Sequence, residues 1–307
     1  MRVLCIINSR AGQSDTGMYD FLKAIGRTGA DVTVRFITGG STMRDLVRDA
    51  STFDRVIASG GDGTVTGVCY ALRGSGVPIL AYPAGTANLL ALNLKMPVDP
   101  EQLASVALCD TMLELDIGEL TVGNPGAPDR RVEGFMVGAG AGFDASIMEG
   151  AQDLKQSIGV AAYLVGALAN LTPTVSRFNM QLDGKEVETD GIAVLVANVA
   201  RLPFDLPLIH ESDPSDGRFE IVVLRTRNAI ELLPAVWAAI VDRMTGQHAG
   251  RSAGVETHVA SSVRVQMEPP LPMQFDGEIL PASASFEIEV LPRAARLLVP
   301  DESTASR

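Results

Sequence analysis

A glycine-rich hexapeptide, Ser59 to Thr64, combines a flexible backbone with one carboxylate, that of Asp62. It follows an apolar run at 55–58 and precedes a helical pattern at 65–72, so a strand leads through a tight turn into a helix. The N–H groups of such a turn and the positive end of the helix dipole bind phosphate oxygens. Because a carboxylate repels phosphate, Asp62 suits this turn if Mg²⁺ lies between them, or if Asp62 accepts a proton from a substrate hydroxyl. The alternative is a tight turn in which Asp62 caps the following helix.

Two further strand-to-helix turns carry small polar residues. The turn at 83–88 reads Pro-Ala-Gly-Thr-Ala-Asn after an apolar run, and its Thr86 and Asn88 supply a hydroxyl and an amide. The turn at 8–12 reads Asn-Ser-Arg-Ala-Gly and also follows an apolar run. Loops that follow parallel strands gather at one edge of an open α/β sheet, where such sheets bind ligands. We therefore expect the three turns to form one site.

The elements that would position these turns alternate regularly over the first third of the chain. Strand patterns occur at 2–8, 31–37, 54–58 and 77–82, and helical patterns occur at 15–29, 41–50, 64–73, 86–93 and 100–108. This alternation predicts an α/β domain with a doubly wound, mostly parallel sheet.

The pattern changes near Thr111, where strand-like runs replace the alternation. These runs cover 111–122, 132–139, 175–183, 186–198, 217–226, 255–260, 262–268, 272–276 and 283–291, and helical patterns near 143–170 and 228–245 interrupt them. The Asp-Gly pairs at 183–184 and 276–277 are typical of hairpin turns. We therefore expect a mainly antiparallel second domain.

Composition narrows the set of partners and compartments. The 307 residues carry a net charge of −12, which argues against nucleic acid, because nucleic-acid binding needs basic clusters. Three cysteines in apolar surroundings and three scattered histidines lack metal-ligand spacing, so we expect reduced thiols and no zinc site. A strand pattern directly after Met1 predicts a cytoplasmic protein. The apolar stretches at 158–171 and 229–241 are shorter than the roughly 20 residues of a membrane span, so we expect buried helices there.

Taken in order, these motifs resemble those of the diacylglycerol kinase catalytic family, which includes bacterial lipid kinases and sphingosine and ceramide kinases. The resemblance rests on seven stretches that span nearly the whole chain: 8–12, 60–64, 83–88, 116–118, 140–144, 216–220 and 276–278. It implies an α/β nucleotide-binding domain, residues 1–118 with about 293–307, and a β-sandwich lipid-substrate domain, residues 119–292. Arg296 to Val299 would be the strand that returns to the first domain. The implied activity is an ATP-dependent lipid kinase at the inner face of the membrane.

The resemblance also implies which residues hold ATP. They lie in the three turns and at the end of the second strand, and they are Asn8, Ser9, Arg10, Gly12, Thr38, Gly60, Gly61, Gly63, Thr64, Thr86 and Asn88. Two of these have an alternative: Arg10 could be a solvated loop residue, and Thr38 could cap the helix at 41–50.

Carboxylates are expected to bind Mg²⁺ and to accept the proton of the substrate hydroxyl. In the family pattern Asp62, Asp116 and a third carboxylate would hold Mg²⁺, partly through water. Asp276 or Glu278 would act as general base or bind nucleotide, and the choice between this turn and Asp62 as the base stays open. A structural Mg²⁺ site is implied at the turn 213–218, assigned to Asp213, Asp216 and Arg218, with Asp216 and backbone oxygens as ligands; the alternative is a solvent loop.

The sequence departs from the family pattern at Leu89, where many bacterial diacylglycerol kinases have Asp. This favours ceramide or a sphingoid base as the acceptor lipid, and diacylglycerol stays open. The alternative functions are an NAD-kinase-like enzyme, which shares the Asp62 turn, and a catalytically weak lipid-binding regulatory homologue. A dinucleotide oxidoreductase is disfavoured because the first turn lacks Gly-x-Gly-x-x-Gly. The expected partner is a lipid at the membrane surface, and a homodimer is an open alternative.

Overall fold

A computed structural model of the chain describes residues 1–11, 17–123, 130–142, 173–199, 201–202, 206–207, 213–226 and 254–301. The chain divides into two compact units. The first contains residues 1–117, 134–136 and 291–307, and the second contains 118–133 and 137–290. The predicted division, at 118 and near 293, differs from these boundaries by one or two residues and by the three residues 134–136.

The first unit begins with an alternation of strands and helices. In chain order these are β1 (Arg2–Ile7), α1 (Gly17–Gly26), β2 (Asp31–Phe36), α2 (Met43–Leu46), a 3₁₀ turn (Ala50–Thr52), β3 (Arg55–Gly60), α3 (Asp62–Ala71), β4 (Ile79–Pro83), α4 (Leu89–Asn93), α5 (Pro100–Leu108) and the start of β5 (Met112–Val122). The sheet has the order β4, β3, β1, β2, and all of these pairs are parallel.

Apolar side chains on both faces hold this sheet in place. Val3 and Cys5 of β1 pack into a cluster with Phe21 and Ile25 of α1, while the alternate residues Leu4 and Ile6 are equally buried. Because successive side chains of a strand point to opposite faces, the sheet is covered on both sides, as in doubly wound folds. The loops after β1, β3 and β4 therefore leave the same edge of the sheet, as the parallel order predicts.

The second unit consists mainly of antiparallel strands. They are the later part of β5, β6 (Arg131–Phe135), β7 (Gly138–Ala141), β8 (Ser176–Leu182), β9 (Lys185–Gly191), β10 (Ala193–Ala197), the short pair β11 (Arg201–Leu202) and β12 (Leu206–Pro207), β13 (Phe219–Leu224), β14 (Val255–Ala260), β15 (Ser262–Phe275) and β16 (Glu278–Leu298). Neighbouring strands in the order β14, β13, β10, β7, β15, β16 are antiparallel, and β8 and β9 extend from β15.

Strand β16 runs on from the second unit into the first. Its residue Leu297 pairs in parallel with Ile79 of β4. The expectation that Arg296 to Val299 returns to the first domain is confirmed. Within β16, just before these residues, Arg293 has a left-handed φ of 51°.

Several predicted boundaries were wrong for identifiable reasons. The helix predicted at 41–50 ends at Leu46, because Arg35 donates hydrogen bonds to the Leu46 carbonyl at 2.6 Å and to the Asp49 carboxylate at 2.6 and 2.8 Å. The run at 132–139 is two strands, since residues 136–137 leave the ladder. The runs at 262–268 and 272–276 form one strand, which passes its prolines by register shifts between Gln266 and Met273.

Some sequence-based expectations fall outside the described residues. These are the helices near 143–170 and 228–245, with the apolar stretches inside them. Within the described ranges, no helix combines the length and the apolar character that a membrane span requires.

Candidate active site

The first loop, Gly60–Thr64, leaves the N-terminus of α3 open to an anion. Gly61 is the N-cap residue and has no side chain to cap this helix, while Thr64 N donates to the Gly61 carbonyl at 2.9 Å. A Cβ on Gly60 would lie 2.5 Å from the Cβ and Oγ1 of Thr64, so only glycine fits at this position. The loop thus keeps backbone donors at the positive end of a ten-residue helix, where phosphate binds favourably.

Asn8 ties the loop after β1 to the first loop. Its backbone N–H donates to the Ser59 carbonyl at 2.9 Å, and its side-chain Nδ2 donates to Thr64 Oγ1 at 3.1 Å. Its Oδ1 accepts from the N–H of Arg10 at 3.1 Å. Asn8 and Thr64 are therefore brought together as predicted, but their side chains hold each other and so position the loops. Ser9 and Arg10 are exposed, and Gly12 lies outside the described residues.

The second loop, Pro83–Asn88, is closed by a reciprocal pair of hydrogen bonds. Gly85 N donates to Asn88 Oδ1 at 2.8 Å, and Asn88 Nδ2 donates to the Gly85 carbonyl at 2.8 Å. Asn88 itself has a left-handed φ of 49°, a conformation that asparagine tolerates better than most residues. The Asn88 amide, predicted as a nucleotide contact, is thus engaged in its own turn, while Thr86 is exposed.

The two loops are in direct backbone contact. A Cβ on Gly85 would clash with the backbone of Gly61, and Ala84 N donates to the Gly60 carbonyl at 3.1 Å. Gly60, Asp62, Tyr82 and Asn88 are among the residues that line the gap between the loops, which is too small to hold a water molecule. A nucleotide would therefore bind outside this gap.

Asp62 joins these loops through its carboxylate. Oδ2 accepts from Leu89 N at 3.0 Å and Oδ1 accepts from Leu90 N at 2.9 Å, and the residue is only 9 % exposed. The carboxylate therefore lies at the N-terminus of α4 and does not cap its own helix α3. The alternative that Asp62 caps the following helix is wrong about the helix, although capping itself is what the carboxylate does.

Two other predicted residues of the first unit have structural partners. Thr38 Oγ1 is hydrogen-bonded to Ser41 Oγ at 2.6 Å, and α2 is capped by Thr42, so the capping alternative for Thr38 is wrong. Asp116 is fully buried, and its Oδ1 accepts from Arg293 N at 2.7 Å. This bond supports the left-handed turn at Arg293 in β16.

In the second unit, the Asp276 carboxylate fastens the β15–β16 turn to the start of β7. Oδ1 accepts from Val137 N at 2.9 Å and from Gly138 N at 3.0 Å, and Asp276 N donates to the Gly138 carbonyl at 2.9 Å. Asp276 has a left-handed φ of 44°, as the predicted hairpin turn requires. Glu278, two residues later, is exposed.

Glu133 is a carboxylate that the sequence motifs do not identify. Burial and the nearby charge of Glu278 raise the pKa of Glu133, and Arg131 partly offsets this. Glu133 lies in strand β6 and belongs to none of the sequence motifs. It is identified only by its proximity to Glu278 in the folded chain. Glu133 is therefore close enough to Glu278, which follows the Asp276 turn, for the two charges to interact.

The predicted structural metal turn at 213–218 is closed by its own hydrogen bonds. Asp213 Oδ1 accepts from the N–H and the hydroxyl of Ser215 at 3.0 and 2.6 Å, and Asp216 Oδ1 accepts from Arg218 N at 2.9 Å. Asp213, Asp216 and Arg218 are all exposed. The assignment of Mg²⁺ to this turn stays a prediction.

The donor set of the first unit fits a triphosphate better than it fits a protein-held Mg²⁺. The open N-terminus of α3 and the glycines that exclude side chains form a cradle for phosphate. The carboxylate of Asp62, by contrast, is committed to two N–H groups, Asp116 is fully buried against Arg293, and Leu89 is apolar. Among the described residues, no three His, Cys, Asp or Glu side chains are grouped as metal ligands. The residues present therefore do not fit the metal arrangement that the resemblance implied for Asp62 and Asp116.

Comparison with known proteins covers both units. Residues 2–120 match the model described as "Diacylglycerol kinase catalytic domain", and residues 137–299 match "YegS C-terminal NAD kinase beta sandwich-like domain". A "Probable lipid kinase YegS-like" from Klebsiella pneumoniae (strain 342) is 25 % identical over 305 residues, 97 % of this chain and 96 % of that protein. An uncharacterized protein of Synechocystis sp. is 27 % identical over 81 % of this chain, which spans about half of that relative, 55 %.

Solved structures show the same fold. A diacylglycerol kinase from Bacillus anthracis str. Sterne superimposes with a TM-score of 0.72 at 18 % identity, covering 98 % of each chain. An NAD kinase from Archaeoglobus fulgidus, solved in complex with ATP, is more distant, with a TM-score of 0.53 at 14 % identity over 99 % of this chain and 95 % of that one. The prediction of an α/β domain followed by an antiparallel β-sandwich is confirmed. The chain belongs to the diacylglycerol kinase catalytic family, in the YegS-like group of lipid kinases.

Proposed function

We propose that the protein transfers the γ-phosphoryl group of ATP to a hydroxyl of a membrane lipid. The observation that supports this proposal is the pair of glycine loops in backbone contact at the N-terminus of α3. The chain that carries them belongs to the diacylglycerol kinase catalytic family. Phosphoryl transfer depends mainly on positioning and on stabilising charge, and backbone donors fixed in this way do both. Mg²⁺ would enter with the nucleotide phosphates as their counter-ion.

Glu278 is the proton acceptor in this proposal. Of the three candidate carboxylates, Asp62 has both oxygens on backbone N–H groups and Asp276 has two N–H groups on one oxygen. These hydrogen bonds occupy both oxygens of Asp62 and Oδ1 of Asp276. Glu278 is exposed, so its carboxylate is accessible to a substrate hydroxyl.

The acceptor lipid is diacylglycerol, or ceramide or a sphingoid base. Leu89 is almost buried and sits at the first position of α4, so the second loop carries an apolar residue where many bacterial diacylglycerol kinases have Asp. This difference supports a sphingolipid-type acceptor. We place the protein in the cytoplasm with peripheral contact at the inner membrane face, because its substrate is there.

Transfer of labelled phosphate tests the reaction and the acceptor together. Purified protein is incubated with γ-labelled ATP and separate vesicles that contain diacylglycerol, ceramide or sphingosine, with NAD in solution as a fourth acceptor. Phosphorylation of one lipid is expected. Labelling of NAD alone would reject the lipid kinase in favour of the NAD-kinase-like alternative, and no transfer to any acceptor would favour the regulatory homologue.

A Glu278→Gln variant tests the proton acceptor. Loss of general-base help should lower kcat by about 10²–10⁴-fold, with nucleotide affinity by calorimetry unchanged. Glu287→Gln is the matched control, since Glu287 is an exposed glutamate of the same strand, 3.4 Å from Arg264. Equal turnover by the two variants would remove Glu278 from this role.

A further inference from the structure

We infer that Asp62 is a positioning residue, which holds the second loop on the first through the N–H groups of Leu89 and Leu90 and needs no metal ion between the loops. The inference rests on the proposed function only in treating these loops as the nucleotide site. It departs from the role that the family resemblance implies for Asp62, which was to organise Mg²⁺ or to take the substrate proton.

The helix α4 needs an acceptor that its own N-cap residue does not supply. Asn88 is a favourable N-cap residue type, but its left-handed backbone and its bonds to Gly85 turn the amide away, and it makes no side-chain cap hydrogen bond. The first N–H groups of a helix have no partner within the helix. Asp62, which precedes Leu89 by 27 residues, supplies one oxygen to each of the two N–H groups.

This capping also resolves the conflict between a carboxylate and a phosphate site. Asp62 is the first residue of α3, yet both of its oxygens lie on the N–H groups of α4. Its negative charge is thereby matched by two backbone donors and by the positive end of the α4 dipole. The Asp62 side chain thereby leaves the N–H groups of Asp62 and Gly63, at the start of α3, to an anion.

We call the two hydrogen bonds that Asp62 accepts from Leu89 N and Leu90 N the clamp. The backbone contact between the loops makes this clamp relevant to ligand binding. Gly61 and Gly85 meet backbone to backbone, and Ala84 N bonds to the Gly60 carbonyl. Both of these contacts are on the first half of the second loop. The hydrogen bonds from Leu89 N and Leu90 N to Asp62 hold the residues directly after this loop, so that the loop is fixed at both of its ends. Without Asp62, we expect residues 86–90 to move away from the first loop.

Among the described residues around these loops, none supplies ligands for a metal bridge that could replace the Asp62 hydrogen bonds. The residue at the start of α4 is Leu89, which is 8 % exposed and apolar. Asp116 is fully buried, and Arg293 N donates to it at 2.7 Å. Asp62 already uses each oxygen once. The loops of this chain should therefore be ordered equally in the presence and absence of Mg²⁺.

Amide hydrogen exchange tests the clamp without any need for activity. It is measured by NMR for the full chain, with Mg²⁺ and with EDTA, in wild type, Asp62→Ala and Asp99→Ala. Asp99 is the matched control, because its carboxylate caps α5 of the same unit through Glu101 N and Gln102 N. Asp62→Ala should raise exchange at Leu89 and Leu90 by about tenfold or more, while Asp99→Ala should act only on α5. Unchanged exchange in Asp62→Ala, or faster exchange in wild type on adding EDTA alone, would overturn the inference.

The kinetics of Asp62→Asn distinguish a positioning role from a role in proton transfer. If Asp62→Ala does not fold, Asp62→Asn also takes its place in the hydrogen-exchange measurement. A positioning role predicts that KM for ATP rises by about tenfold while the acidic limb of the pH–rate profile persists. Loss of that limb with KM unchanged would make Asp62 the proton acceptor and contradict the inference. If the wild type proves to have no kinase activity, the proposed function fails, and the exchange data still decide for or against the clamp.

Discussion

Asp62 and Asp276 each begin an Asp-Gly pair, and each accepts two backbone N–H groups from a distant part of its own unit. They differ in how they do so. Asp62 gives one oxygen to each donor and is almost buried, whereas Asp276 uses Oδ1 for both donors and is partly exposed. Their backbones also differ, since Asp62 is helical and Asp276 is left-handed.

This difference shows that one dipeptide serves two kinds of attachment. The Asp62 carboxylate joins two loops whose glycines touch, so both its geometry and its charge are constrained. The Asp276 carboxylate fastens a hairpin turn whose next residue, Gly277, has open space around it. We expect the first region to tolerate little change and the second to tolerate more.

Adding one methyl group to each region should give the largest contrast. Gly85→Ala places a Cβ against the Gly61 backbone, which cannot move aside as a side chain would, and should cost about 3 kcal/mol or more of unfolding free energy. Gly277→Ala meets no atom within 4 Å and is strained only by its φ of +85°, at a cost of about 1 kcal/mol. Urea unfolding measures both values. Similar losses at the two sites would contradict the close backbone approach of the loops.

A second carboxylate in the Asp62 region should be the next most damaging change. Leu89→Asp places a charge beside Asp62 at a nearly buried position, and we expect a loss of about 2–3 kcal/mol, partly restored by Mg²⁺ because a cation relieves the repulsion. The control is Leu92→Asp on the same helix, where Leu92 is 40 % exposed. Urea unfolding with and without Mg²⁺ checks this. Equal losses at the two positions, or a stability gain for Leu89→Asp in EDTA, would refute the prediction.

Asparagine substitutions should sharpen the difference in oxygen use. An asparagine has one carbonyl oxygen, so Asp62→Asn leaves one N–H of α4 facing an NH₂ group and should cost about 2 kcal/mol. Asp276→Asn keeps an acceptor for both donors, and asparagine suits the left-handed backbone, so the cost should be about 0.5 kcal/mol. Thermal or urea unfolding compares the two variants. A larger loss for Asp276→Asn than for Asp62→Asn would reverse the comparison.

The smallest effect concerns pH in the Asp276 region. The pKa of Glu133 is raised in the folded protein by burial and by the charge of Glu278, so the folded state holds its proton to higher pH than the unfolded state. Stability from this group is therefore present at low pH and is lost as the pH rises through its folded pKa. Glu133→Gln should remove this loss, so that the variant gains stability relative to wild type as the pH rises above 4.5, the ordinary pKa of glutamate. Parallel pH profiles of the two proteins would show that Glu133 is not perturbed.

Much of the first unit could be predicted because its patterns are local. The apolar runs before residues 8, 59 and 83 are the buried strands, and Gly60 and Gly85 lie where a side chain would clash. The end of the helix predicted at 41–50 could not be predicted, because Arg35 of strand β2 donates hydrogen bonds to the Leu46 carbonyl and the Asp49 carboxylate. An ion pair between distant residues leaves no local pattern.

The sequence by itself determined the alternation of strands and helices in the first unit, the three polar turns and their glycines, since hydrophobic period and backbone freedom are properties of a few adjacent residues. Only the tertiary structure decided what the carboxylates do: Asp62 bonds to Leu89 and Leu90, Asp276 to Val137 and Gly138, and Asp116 to Arg293. The physical reason is that the donors are backbone N–H groups. Nearly every residue carries one, so the residue types at the donor positions say nothing about which carboxylate will reach them.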